Sequence, residues 1–243
     1  MTHLEHARAI LRDARRLVIF TGAGVSADSG VPTFRGSSAD ALWGKYDPLQ
    51  LASPEGFAAN PQLVYDWYTW RRSNLIGLSP NPAHHAIAAF QAKGAHLITQ
   101  NVDGLHERVT PPGSTVLRLH GTIGADRCST CEYAEDLDLT RLPPLRGCPK
   151  CGAYMRPSVV WFGERLDPAV WNSAEAACRD ADAMLVVGTS GEVYPAAALV
   201  RLVMQNKAPI VQVNLESSAF DADVDVALHG RAADILPELR TGL

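Results

Sequence analysis

Two CxxC pairs, Cys128-x2-Cys131 and Cys148-x2-Cys151, constrain this chain more than any other feature. Each pair turns two sulfurs the same way, and two pairs at this spacing let four thiolates face one tetrahedral ion. The segment that carries them, residues 121–157, is rich in Pro, Gly and charge and has little apolar periodicity. Such a segment cannot bury a core of its own and needs a staple. The spacing predicts a small structural zinc module held by Cys128, Cys131, Cys148 and Cys151. A redox dithiol would need only one pair, and four thiolates leave no open position for a substrate. The fifth cysteine, Cys178, stands in an Ala-rich helical stretch and reads as a small buried hydrophobe. The odd count argues against a disulfide framework.

Around that segment, short apolar runs alternate with helical patterns. The runs are Leu17 to Phe20, His96 to Thr99, Thr115 to Leu119, Met184 to Val187, Ile210 to Val213 and Val224 to Leu228. The helical patterns are Pro82 to Ala92, Pro168 to Ala181, Pro195 to Asn206 and Ala232 to Leu239. Continuous apolar strands alternating with helices predict a parallel sheet covered on both faces. The expected fold class is α/β: a Rossmann-like, doubly wound parallel sheet with a small inserted zinc-binding module. Thr2-His3-Leu4-Glu5 reads as a capping box opening a helix whose apolar face is Leu4, Ala7, Ile10, Leu11 and Ala14. Residues 32–81 hold aromatics and short helical patterns but no clear strand. We expect a mobile lid with a short helical layer there.

Composition narrows the partners. The charge balance is 22 − 26 = −4, without a basic field, so no direct nucleic-acid binding is expected. No apolar run reaches the about 18 residues of a membrane span. We expect the fold to start near residue 2, with no room for a cleaved leader. We expect a cytoplasmic monomer.

Polar clusters fall at the ends of the strands. Thr21-Gly22-Ala23-Gly24-Val25-Ser26-Ala27 follows the first strand directly. Glycines there let backbone approach a phosphate, and the next helix offers free N–H groups. A glycine turn without a ligand reads equally well. Asp40 and Asp47 stand where a dehydrogenase would carry its ribose-binding acid, but no apolar strand precedes either. Thr99-Gln100-Asn101-Val102-Asp103-Gly104-Leu105-His106 follows the second strand, where open α/β sheets bind ligands. A bland polar loop is the competing reading. His120, in Leu119-His120-Gly121, is placed to act as a general base near neutral pH, with His84, His85, His96 and His106 as competitors. Val187-Gly188-Thr189-Ser190 and Val213-Asn214-Leu215-Glu216 end later strands, as ribose and phosphate ligands or as simple helix caps.

Together these pieces resemble a sirtuin. The stretch from Gly22 to Gly36, which includes Ala27, Pro32, Thr33, Phe34 and Arg35, is similar to that family's opening motif. Gln100-Asn101-Val102-Asp103, Leu119-His120-Gly121, the four cysteines, Val160-Trp161-Phe162-Gly163-Glu164, Gly188-Thr189-Ser190 and Asn214-Leu215-Glu216 follow in the family's order, from about residue 17 to 240. The resemblance implies an NAD-dependent protein-lysine deacylase that releases nicotinamide and O-acyl-ADP-ribose. It implies His120 as general base and Asn101 and Asp103 at the nicotinamide pocket. Phe34 and Arg35 would sit on a loop that shields the reacting centre from water. Gly22, Ala23, Gly24, Ser26, Gln100 and Val102 would line the cofactor path. Gly188, Thr189, Ser190, Asn214, Leu215, Glu216 and Ala232 would hold its adenosine half. Residues 1–120 and 158–243 would form the Rossmann-like NAD-binding catalytic domain, and 121–157 the zinc module.

The same resemblance places substrate peptide as an added strand on Val160, Phe162, Gly163 and Glu164, paired on its other side near Val193 and Tyr194. Tyr68 and Arg71 lie three apart and share a face if this stretch is helical. They resemble the pair of class III sirtuins, which prefer negatively charged acyl groups, so succinyl and malonyl are expected to be removed ahead of acetyl. A solvated helix face is the competing reading, since Arg72 is adjacent. Ser158 stands where close relatives are expected to carry histidine. Mono-ADP-ribosyl transfer is the alternative activity, and a non-catalytic NAD sensor is the reading that an intact His120, Asn101 and Asp103 speak against.

Overall fold

The computed structural model describes residues 2–33, 42 and 46–241. Strands in chain order are β1 (Leu17–Thr21), β2 (His96–Thr99), β3 (Val116–Arg118), β4 (Gly121–Cys128), β5 (Ala134–Asp136), β6 (Met155–Val159), β7 (Ala183–Val187), β8 (Ile210–Asn214) and β9 (Val226–His229). Helices are α1 (His3–Asp13), α2 (Pro48–Leu51), α3 (Pro54–Ala59), α4 (Pro61–Ser73), α5 (Pro82–Gln91), α6 (Pro168–Asp180), α7 (Ala197–Gln205) and α8 (Ala232–Leu239).

Every residue of β1 and β7 is buried, so neither strand alternates between a wet and a dry face. Their odd and even positions feed two separate cores. Ile19, Leu97, Leu185 and Val211 pack under α1, α5 and α8. Val18, Phe20, Ile98, Met184 and Val186 pack under α6 and α7, where Cys178 is fully buried as expected. The sheet order is β3-β2-β1-β7-β8-β9, and every pair is parallel. The order reverses between β1 and β7, where a doubly wound sheet opens its ligand crevice.

Five helices start by one local rule. Asp47, Ser53, Asn60, Asn81 and Asp167 each accept a backbone N–H as N-cap, and each is followed by proline at the first turn. Proline there loses no hydrogen bond and has its φ preset. Thr2 and Glu5 close the expected capping box on α1.

The helix expected after the β1 glycine turn is a 3-10 helix, Ala23–Ser29. Within 32–81, where we expect a lid with a short helical layer, residues 48–73 form three helices whose Leu51, Phe57, Val64, Trp67 and Tyr68 pack against Ile123, Val159 and Trp161. The zinc segment carries a three-stranded antiparallel sheet, β5-β4-β6. Its strands are polar and bulged between Gly121 and Asp126, so apolar alternation could not announce them. Their packing partners are helices from elsewhere in the chain. Among the described residues, no helix is long and apolar enough to cross a membrane.

Candidate active site

A cavity of about 870 Å³ runs across the carboxyl ends of β1, β7 and β8 and down to α4. Gly22, Gly24 and Gly188 shape its mouth. A Cβ on Gly22 would lie 2.7 Å from the Gly188 carbonyl oxygen, and one on Gly24 would lie 2.7 Å from the Gly188 Cα. Gly188 itself has φ +63, and its added Cβ would strike Val25 N at 2.4 Å. These glycines are required because two backbone loops interlock, with Gly24 N donating to the Gly188 carbonyl at 2.9 Å.

The cavity is lined by Ala23, Ala27, Pro32 and Thr33 on the β1 side. Thr189, Ser190, Asn214, Leu215, Glu216 and Ala232 line the opposite end, and Gln100, Asn101, Val102 and His120 the middle. Tyr68, Arg71, Val160, Phe162, Gly163, Glu164, Val193 and Tyr194 line the remainder. Phe34 and Arg35 lie outside the described residues. Ser26 and Asp103 stand behind the wall. Ser26 Oγ donates to Asp103 Oδ2 at 2.8 Å and accepts from Asn101 Nδ2 at 3.2 Å. Burial pushes the Asp103 carboxyl up, against the Leu105 N–H and the Ser26 hydroxyl that pull it down. His84 and His106 back this network. Both are neutral, with burial pulling them down to about 4 and about 3. Neither of these two competitors reaches the cavity.

His120 Nδ1 lies 3.1 Å from the Gln100 carbonyl oxygen. A carbonyl only accepts, so Nδ1 carries the proton and Nε2 keeps its lone pair. Burial lowers the imidazole below its ordinary value, partly offset by that carbonyl. The ring is therefore neutral near pH 7, with a basic nitrogen at the cavity wall.

At the α4 end, Tyr68 is 1% exposed and accepts a hydrogen bond from Trp161 Nε1 at 2.9 Å. Burial pushes its phenol up, so it stays protonated. The Arg71 guanidinium lies against the Trp67 and Tyr68 rings, 4.9 and 5.4 Å from their centroids. Arg72 turns the other way and is fully buried, with Nη2 on Asp126 Oδ1 at 2.6 Å. The solvated-face reading fails at Arg72. Trp161, from the quoted Val160–Glu164 motif, also lines this end, as do Ala52, Tyr46 and Trp70, which nothing in their spacing announced. The Glu164 carboxylate is occupied by Arg127, Arg156 and the Trp161 N–H, which leaves the backbone of this strip to face the cavity.

The four paired cysteines bring their sulfurs within 4.8 Å of one another. Cys128 and Cys151 sulfurs are 3.4 Å apart, and those of Cys131 and Cys148 3.7 Å. Zinc–sulfur bonds of about 2.3 Å in a tetrahedron require edges close to these. Backbone N–H groups of Thr130 and Cys131 point at the Cys128 sulfur, as a thiolate ligand needs. The donor set fits one zinc ion with a closed shell.

A doubly wound sheet with a cleft at its switch point and a four-cysteine insertion defines a dinucleotide-binding protein with a structural zinc module. The Sir2 family model matches residues 22–195, and the chain belongs to that family. An NAD-dependent protein deacylase 2 of Pyrobaculum aerophilum is 47% identical over 235 residues, covering 95% of this chain and 92% of that protein. A Sir2 homologue solved with NAD is 41% identical, with a TM-score of 0.89 over 97% of this chain and 92% of that one. A variant Sir2 homologue solved with 2'-O-acetyl ADP ribose is 41% identical, with a TM-score of 0.89 over 97% and 94% of the two chains.

Proposed function

We infer that the protein is an NAD-dependent protein-lysine deacylase, acting on acyl-lysine peptides and yielding nicotinamide and O-acyl-ADP-ribose. The relative named as such a deacylase and the homologues solved with NAD and 2'-O-acetyl ADP ribose support this reading. When bound, NAD supplies a nicotinamide–ribose bond whose cleavage drives acyl transfer to the ribose. The observation that carries the mechanism is His120: Nδ1–H is spent on the Gln100 carbonyl, so Nε2 is free to take a proton from a ribose hydroxyl. Asn101 and Asp103, held by Ser26, form the nicotinamide end. Thr189, Ser190, Asn214 and Ala232 hold the adenosine end. The backbone at Val160, Phe162 and Gly163 takes the peptide as an added strand, with Val193 and Tyr194 opposite.

Two finer readings go with it. Tyr68 and Arg71 receive the carboxylate of a succinyl or malonyl group, because a guanidinium and a protonated phenol meet at one wall of the cavity. The domain division is 1–120 with 158–243 for catalysis and 121–157 for zinc, and the working form is a cytoplasmic monomer without nucleic-acid or membrane partners. The test is a panel of matched succinyl-, malonyl- and acetyl-lysine peptides with NAD, read by mass spectrometry. His120→Ala should lower product formation by about 10²–10⁴-fold. Arg71→Met should lower succinyl turnover selectively. ADP-ribosylated protein in place of O-acyl-ADP-ribose, or turnover indifferent to His120, would overturn the assignment.

A further inference from the structure

Behind the proposed acyl pocket, three side chains that the deacylase mechanism leaves without a role, the half-buried Glu164 and the buried Arg156 and Trp161, form a connected chain that ends on Tyr68. The Arg156 guanidinium carbon sits 3.2 Å from the Trp161 ring centroid, stacked on the indole. Its two terminal nitrogens grip both oxygens of Glu164, at 2.6 and 3.1 Å. A second bond from Arg156 Nη2 reaches the Val159 carbonyl at 2.8 Å. Glu164 also accepts the Trp161 backbone N–H at 2.8 Å. The indole is thus held by its own backbone on one side and by a stacked, anchored cation on the other. Held there, its Nε1 donates to the Tyr68 oxygen, a residue 93 positions away in the chain.

That bond has a consequence for proton direction. A phenol has one proton and accepts through its oxygen, whereas an indole N–H and a guanidinium are donors only. Neither Trp161 nor Arg71 can take the Tyr68 proton. Among the described residues the Tyr68 hydroxyl receives hydrogen bonds, from Trp161 Nε1 and from the Arg71 guanidinium, and gives none. Its proton is therefore left for an acceptor, and the cavity beside Arg71 is where an anionic acyl group would supply one.

We propose that Trp161 is a specificity-setting positioning residue: by filling the acceptor side of the Tyr68 oxygen, it turns the phenol proton toward the carboxylate of an acidic acyl group. Arg156 and Glu164 hold the indole in that pose. The inference rests on the acidic-acyl reading of Tyr68 and Arg71. Acetyl-lysine has no carboxylate to meet that proton, so the relay acts on the succinyl-to-acetyl ratio rather than on turnover in general.

The experiment compares kcat/KM for matched succinyl- and acetyl-lysine peptides in wild type, Trp161→Phe, Tyr68→Phe and the double variant. Trp161→Phe keeps a packed ring and removes the N–H. It should lower the succinyl-to-acetyl ratio about tenfold, chiefly by raising the succinyl KM. In the Tyr68→Phe background the same change should leave the ratio within about twofold, because the pair acts as one unit. Equal losses on both peptides, or the same drop without the Tyr68 hydroxyl, would overturn the proposal in favour of a wall residue. Should Trp161→Phe not fold, Arg156→Lys loosens the same indole and must move the ratio the same way, again only with Tyr68 present. Arg71→Met separates the two levels. If it leaves the ratio unchanged, the acidic-acyl reading falls and takes this inference with it. If it lowers the ratio while Trp161→Phe does not, the inference alone falls.

Discussion

The parallel sheet and the cysteine-bearing sheet are built on different physics. In β1 and β7 every side chain is buried, and two helical layers cover Ile19, Val18 and their neighbours with apolar contact. In the module, the buried cysteine pair Cys128 and Cys148 shares a small apolar cluster with buried Met155 and the partly buried Cys131, Tyr133 and Ala153. What ties the module to the rest is polar. Asp126, fully buried, accepts from Arg72, Arg146 and the Tyr65 hydroxyl at 2.6, 2.9 and 2.8 Å. One region draws its stability from area removed from water, the other from a metal and a charge cluster. The first degrades gradually when trimmed; the second fails when one member is removed.

The contrast is broken hardest by taking away zinc. Structural zinc sites are worth about 10–16 kcal/mol of binding energy, so a strong chelator should unfold the module. Hydrogen exchange should then rise first across β4 to β6, with β1 and β7 protected longest. Uniform loss of protection would mean that the two sheets share one source of stability.

Removing Asp126 comes next. Asp126→Ala leaves the Arg72 charge buried and should cost about 3–5 kcal/mol in urea unfolding. A cost under about 1 kcal/mol would show the cluster to be ornamental.

Acid probes the other side of the comparison. His84 lies behind the cavity wall, beside Ser26, and burial pulls it from 6.5 down to about 4. The unfolded imidazole takes a proton near pH 6.5 that the folded site refuses until about pH 4. Its stabilisation is complete above 6.5 and is lost as pH falls through that window, about 3 kcal/mol in all. His84→Gln should shrink the fall in unfolding free energy between pH 6.5 and 4 in the zinc-loaded protein by that share, leaving the part that His106, pulled down to about 3, contributes over the same window.

The smallest effect belongs to the sheet itself. Ile19→Val deletes one methylene from a fully packed position and should cost about 0.5–1.5 kcal/mol without touching zinc content.

Much of the fold was legible because its signals are local. The six apolar runs, the helical patterns that open at Pro82 and Pro168 and the paired cysteines each report on a few neighbouring residues. The second strand matched its expected bounds, His96–Thr99, and the last helix did too, Ala232–Leu239. The three-stranded sheet was not legible, since β4, GTIGADRC, is polar and finds its apolar cover on α4. Of the site, the motif residues at strand ends were legible. The bond from Trp161 to Tyr68 and the inward turn of Arg72 were not.

By itself the sequence determined where the strands of the parallel sheet and the helices between them fall, which four sulfurs share an ion, and which polar clusters sit at the carboxyl ends of that sheet. Periodicity, capping and spacing are properties of neighbours, so the order of residues carries them. Only the tertiary structure decided which imidazole reaches the cleft with a free nitrogen, that Arg71 faces the cavity while Arg72 is buried against Asp126, and that Glu164 spends its charge on Arg156. Those outcomes depend on partners 8 to 54 residues away, whose meeting is set by strand order and helix packing rather than by any local pattern.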